Sequence, residues 1–203
     1  GIWTAKKRYI LNVWNSEGVQ YSEPKLKVMG IEAVKSSTPA PCRQMIKDGL
    51  KLMMNGTEED VIEFIDKCRV EFKALPPEQI AFPRTVSDVR KYHSHSSIYS
   101  KGTPIHARGA LLFNHYIKDK KLTNKYSLIA NGEKIKFLYL KKPNIIQENV
   151  ISFIQDFPHE LGLDKYIDYD LQFEKSFVEP LKAILDAIGW NVEKTVNLEL
   201  FFA

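Results

Sequence analysis

The chain opens with apolar and polar residues in alternation and then changes to a helical period. From Lys7 to Trp14 and again from Val19 to Ser22 the alternation predicts two strands, joined by a turn over Asn15-Ser16-Glu17-Gly18. Pro24 is expected to end that pairing. Lys25-Leu26-Lys27-Val28 then forms a short third strand with both lysines on one face. Read as strand throughout, Lys7, Tyr9, Leu11 and Val13 share one side, and Lys6, Arg8, Ile10, Asn12 and Trp14 share the other. The result is a small antiparallel sheet with a basic exposed side.

Helical spacing takes over at Ser36-Ser37-Thr38-Pro39, where Thr38 is expected to cap a helix running to about Met54 and stopped by Asn55-Gly56. Its apolar stripe is Met45, Ile46, Gly49, Leu50 and Met53. Arg43, Lys47 and Lys51 make a second stripe of cations about 6 Å apart. Thr57 and Asp60 carry a capping-box signature for a second helix, with Val61, Phe64, Ile65, Cys68, Phe72 and Leu75 inward and Pro76-Pro77 ending it. So short a connection predicts a helical hairpin. The Met and Phe stripes read as core.

Beyond Glu78 the pattern weakens. Ser87 is placed as the cap of a short helix through Tyr92, followed by loops at His93–Ser97 and Lys101–Pro104. His93 and His95 have no third ligand nearby, so no metal site is read there. A strand is expected from His106 to Phe113, with His106 and Arg108 on one side and Gly109 admitting another backbone. Asn131-Gly132 predicts a hairpin between Tyr126–Ala130 and Glu133–Leu140. A helix is expected over Asn144–Gln155, and a last one over Asp168–Ile188 with a kink or a second start at Pro180 and a stop at Gly189. The fold class is therefore α+β: a small antiparallel sheet followed by a mostly helical region with β-hairpins.

Composition narrows function only a little. The 203 residues carry 27% charged and 44% hydrophobic side chains and a net charge of +4, which permits a polyanionic partner without demanding one. The cations crowd the first half and Lys118–Lys142, while the last forty residues are acid-rich. Cys42 and Cys68 lack metal-ligand spacing and read as buried free thiols in a reducing compartment. With no run long enough to span a membrane and no signal peptide, the expectation is a soluble intracellular protein. The chain begins without Met and inside a strand pattern, so a segment of something larger is expected.

The chemistry-bearing stretch is Lys6-Lys7-Arg8-Tyr9. Lysine neutralises phosphate, and a tyrosine can lie along sugars without selecting a base sequence. A solvated basic strand face would read the same way. The run from Trp3 to Val13, with Glu23-Pro24-Lys25-Leu26-Lys27-Val28-Met29-Gly30-Ile31-Glu32 and Ser36-Ser37-Thr38-Pro39, resembles the replicative family B DNA polymerases of large tailed phages. Ile105–Gly109, Phe173–Leu181 and Leu198–Phe202 agree in order, so the resemblance covers essentially the whole chain, more specifically in its first forty residues than in its middle.

The resemblance implies a palm remnant at 1–30, a thumb domain at 31–190 and a clamp-binding tail at 191–203. It implies duplex contact by Lys6, Lys7, Arg8 and Tyr9. Phosphate contact is expected along Arg43, Lys47 and Lys51 and at Arg108, with His106 assisting as a neutral hydrogen-bond donor. The chain turns polar after Trp190 and ends apolar; Leu198, Leu200, Phe201 and Phe202 either dock on a sliding clamp, as the family implies, or fold back as a last strand. The partners implied are primer-template duplex DNA, the clamp and the remainder of the polymerase, in the cytoplasm of an infected bacterial host.

Nucleotidyl transfer in such enzymes uses two Mg2+ ions held by paired aspartates. No Asp-Thr-Asp or comparable cluster occurs in the sequence; Asp164, Asp168 and Asp170 fit helix-start chemistry instead. The fragment is therefore expected to need no cofactor, to have no catalytic residue and to be inactive alone, the Mg2+ belonging to the parent polymerase. A separately encoded DNA- or clamp-binding subunit of a split polymerase is the alternative. A nuclease or transferase built around His106 and Arg108 is a third class, which would need a nucleophile and an orienting acid that the sequence does not point to.

Overall fold

The computed structural model describes residues 1–31, 35–87, 89, 98 and 102–190. In chain order these form β1 (Ile2–Ala5), β2 (Arg8–Ser16), β3 (Val19–Met29), α1 (Ala40–Asn55), α2 (Glu58–Lys73), α3 (Pro77–Ile80), β4 (Phe82–Thr85), α4 (Ile105–Asp119), β5 (Lys134–Tyr139), β6 (Val150–Phe153), α5 (Tyr169–Phe173), a π-helical turn at Glu174–Val178, and α6 (Glu179–Ala187). The fold is α+β, with two antiparallel three-stranded sheets among the described residues, ordered β1-β2-β3 and β4-β5-β6. Two compact units result: Gly1–Ala74 with the segment from Phe173 onward, and Leu75–Gln172.

In the first unit the expected strands are present but longer. Lys6 and Lys7 are not strand residues; Ala5 pairs with Arg8, leaving them as a two-residue turn in which Lys7 has φ 63°. Pro24 does not end β3. It sits on an edge strand where the ladder shifts between Val13 and Asn15, so its missing N–H breaks no pairing. Helix α1 starts at Ala40 behind Pro39, and the buried Thr38 lies too far upstream to cap it; no side chain caps that end. The capping box of α2 forms as expected: the Asp60 N–H donates to Thr57 Oγ1 at 3.2 Å and the Thr57 N–H to Asp60 Oδ2 at 2.8 Å.

Helices α1 and α2 pack through Ile46, Leu50 and Met53 and through Val61, Ile65, Cys68 and Phe72. Phe173 lies 5.2 Å from Phe72 and 4.9 Å from Phe177, which ties the returning helix into this core. Pro180 marks the second start that the sequence offered: α6 begins at Glu179 with the proline in its first turn. Its lack of an N–H coincides with the π turn that precedes it, where the i→i−4 ladder is already interrupted. Cys42 and Cys68 are free and buried; burial pushes the Cys42 thiol up to about 11 and the Cys68 thiol up to about 12.

The second unit departs further from expectation. His106–Phe113 is helix, not strand: Ala107, Ala110, Phe113 and Ile117 recur at helical spacing and form the buried face of α4. Gly109 still admits another backbone, as β6 crosses α4 there; a Cβ would meet Ser152 Oγ at 2.4 Å and Ser152 N at 2.9 Å. Val150–Phe153 is strand, not helix. All four residues are buried, and a short run without alternation carries no period to separate the two. Ahead of it Asn144 organises a turn, its amide donating to the carbonyls of Lys141 (2.7 Å) and Glu148 (2.6 Å).

Asn131-Gly132 is a turn, with Gly132 at φ 84°, but it does not join the expected hairpin. β5 pairs with β4, and the Gly132 N–H donates to Val86 at 2.6 Å. The backbone of Ile129 is instead occupied by the Asn114 side chain, which donates to its carbonyl at 2.9 Å and accepts from its N–H at 2.7 Å. At the last helix Asp168 is a cap: its Oδ1 accepts from the Leu171 N–H at 3.0 Å, and Gly189, at φ 76°, follows the helix end. The expected helix from Ser87 to Tyr92 falls mostly outside the described residues, and His93, His95 and the 191–203 tail fall wholly outside them.

Candidate nucleic-acid interface

The first sheet has an inner and an outer side. Inward, Ile10 is fully buried, and Arg8 lines a small cleft with Lys175, Glu179, Pro180 and Ala183 of the returning helix. Outward, cross-strand register sets Tyr9 opposite Met29, Leu11 opposite Lys27 and Val13 opposite Lys25. Directly paired residues project to the same side, so this side carries Tyr9, Lys25, Lys27 and Met29 together. Lys25 and Lys27 are exposed, and the Lys25 ammonium stands 4.0 Å above the Tyr21 ring.

Trp3 joins this side because of an irregularity. With Lys6-Lys7 as a two-residue turn, regular pairing would set Thr4 opposite Tyr9; instead the ladder shifts between Trp3 and Ala5, and Trp3 pairs with Tyr9. The Thr4 hydroxyl donates to the Arg8 carbonyl at 3.2 Å across the irregularity. The two rings lie 4.7 Å apart at 35°, and Trp3 remains 65% exposed. The turn itself is fastened from the other end of the hairpin. Gly30, at φ 68°, passes so close that a Cβ would fall 2.3 Å from the Lys7 carbonyl oxygen.

Of the residues singled out in the sequence, Lys6, Lys7 and Tyr9 thus come together at the turn and on the outer side, while Arg8 turns inward. Trp3 was not among them. Its signal, an aromatic six positions before Tyr9, becomes readable only once the shifted pairing is known.

Along α1 the cations fall at the expected helical interval but are unequal. Lys47 and Lys51 are exposed, Arg43 is half-buried, and Asp48 lies 3.9 Å from Lys51 while accepting from Gln44 at 3.0 Å. The row therefore carries a built-in acid that moderates its charge.

In the second unit, helix geometry separates His106 and Arg108 by about 200° around the α4 axis, so they do not share a side. His106 packs 6.3 Å from Phe137 and hydrogen-bonds the Thr85 backbone. Burial, with the nearby Arg84 charge, holds its pKa below the ordinary histidine range. The ring is thus neutral at pH 7. Arg108 Nη2 donates to Asn149 Oδ1 at 2.8 Å, linking α4 to the segment before β6.

Tyr126 and Lys125 both donate to Glu160, whose carboxyl they hold down at about 2. These groups join the segment after α4 to the turn at His159–Leu161. Among the described residues no group of three His, Cys, Asp or Glu could hold a metal ion, and no helix is long and apolar enough to cross a membrane.

No protein-family profile matches the chain. Among curated proteins it is 31% identical over 206 residues to the DNA-directed DNA polymerase of Enterobacteria phage T4, an alignment covering 100% of this chain and 22% of that protein. It is 34% identical over 203 residues to the DNA-directed DNA polymerase of Escherichia phage RB69, covering 98% of this chain and 22% of the relative. The chain spans about a fifth of the length of the curated relatives it matches. The resemblance read over essentially the whole sequence is borne out: this chain is similar, along its whole length, to one part of the phage DNA-directed DNA polymerases.

Proposed function

We propose that the chain is the duplex-gripping part of a family B DNA-directed DNA polymerase that serves phage replication. Residues 1–30 would complete a palm, 31–190 form a thumb, and 191–203 end in a clamp-binding peptide of Leu198, Leu200, Phe201 and Phe202. The observation that carries the DNA reading is the outer side of the first sheet. There the exposed Lys6 and Lys7 at the turn stand next to Tyr9, which is half-buried on the outer side of β2 against Trp3. Cations of this kind neutralise phosphates, and a tyrosine beside them can lie against sugars in the minor groove, so the grip would be independent of sequence.

Arg43, Lys47, Lys51 and Arg108 are proposed to extend the phosphate contacts, without His106, whose ring is engaged by Phe137 and the Thr85 backbone on another side of α4. The clamp tail would raise the local concentration of enzyme at the primer end and with it processivity. Nucleotide joining, with its Mg2+ ions, would belong to the remainder of the polymerase, and the chain alone would incorporate nothing. The host-cell cytoplasm is the compartment this reading implies.

The test is binding of the 203-residue chain to a fluorescent primer-template duplex across a salt series, beside a Lys7→Ala, Tyr9→Ala variant. The proposal expects affinity to fall with a log-log slope of several units and the variant to bind more weakly. No binding even at low salt would contradict it.

A further inference from the structure

The exposed side of the first sheet is larger than the Lys6–Tyr9 stretch. Lys25 and Lys27 stand two residues apart on β3, about 7 Å along the strand, and face the same way as Tyr9 through the pairs Val13/Lys25, Leu11/Lys27 and Tyr9/Met29. That interval is comparable to the step between neighbouring phosphates on one DNA strand. Trp3 and Met29 leave 65% and 43% of their surfaces in solvent beside Tyr9, on the same side as the lysines. An exposed tryptophan costs hydration, and a ladder shift is needed to bring it there. Glu23 is the acid of β3, in mid-strand about 7 Å from Lys25 and about 14 Å from Lys27, so it moderates the first lysine more than the second. From Lys25 to Met29 the strand itself carries cations and no acid.

We propose that Trp3, Lys25 and Lys27 belong to the duplex-binding surface, with the two lysines as phosphate ligands on one strand and Trp3 as a positioning residue that holds Tyr9 flat against the sugars. This rests on the duplex-binding reading above and adds residues on β1 and β3 to it. The occupant is a nucleic-acid backbone. A protein partner would be met by the aromatic pair without requiring the aligned cations, and it would leave the salt dependence of DNA binding untouched.

The test uses the whole 203-residue chain and a primer-template duplex, with Lys25→Ala, Lys27→Ala and, separately, Trp3→Ala and Trp3→Phe. Circular dichroism of each variant against the wild-type chain is the check that it folds. The lysine pair is expected to make the salt slope shallower by about two units, about one per phosphate contact. Trp3→Ala is expected to lower affinity about tenfold at unchanged slope, and Trp3→Phe to restore most of it. If the wild-type chain binds but the lysine pair leaves the slope unaltered, β3 is not part of the grip and the inference fails while the duplex-binding reading stands. If Trp3→Ala binds like wild type, the positioning role fails. If the wild-type chain does not bind, both readings fall together.

Discussion

His106 shows how a residue that looks chemical in sequence is held by its surroundings. Against Phe137 and near Arg84 its neutral form is favoured in the fold, so the unfolded chain binds the proton more readily. The stability this contributes is present above the ordinary histidine value of 6.5 and is lost as the pH falls through and below it. Urea unfolding at pH 7 and pH 5.5 should therefore show a larger drop for the wild-type chain than for His106→Gln. Equal drops in both would mean that the ring titrates as it does in solvent. Lys7 and Gly30 make a second residue-scale device, in which a lysine at φ 63° presents its ammonium from a turn that only a glycine leaves room for.

Among elements, the contact of α4 with β6 explains both what was legible and what was not. Gly109 was readable as a site of close backbone approach, because only the absence of a side chain mattered and that is independent of the element carrying it. Gly109→Ala should cost about 1–3 kcal/mol, since the new methyl meets the backbone of Ser152, and a thermal melt lowered by several degrees would register it. The element types around Gly109 were not readable. Val150–Phe153 lacks alternation because α4 covers it, and the strand partner of β5 comes from Phe82–Thr85, some fifty residues upstream. The first hairpin, the two long helices and the Thr57 cap were legible because each rests on local spacing. The place of Trp3 was not, because a ladder shift changes which side a residue faces without leaving a mark in the sequence.

For the molecule as a whole, a net charge of +4 is too small to mark a nucleic-acid-binding protein by itself, and placement matters more than sum. Lys25 and Lys27 on one outer side, beside the Trp3–Tyr9 pair, concentrate charge where a rigid surface can present it. The similarity to T4 and RB69 polymerases covers the chain from end to end, which agrees with both compact units being inherited together. The most direct measurement is backbone amide hydrogen exchange of the chain with and without a primer-template duplex at low salt. Slowed exchange on the Lys6–Tyr9 turn and along Lys25–Met29 is the expected result. Slowed exchange confined to Leu75–Gln172, with the first sheet unchanged, would contradict the placement of the grip on that sheet.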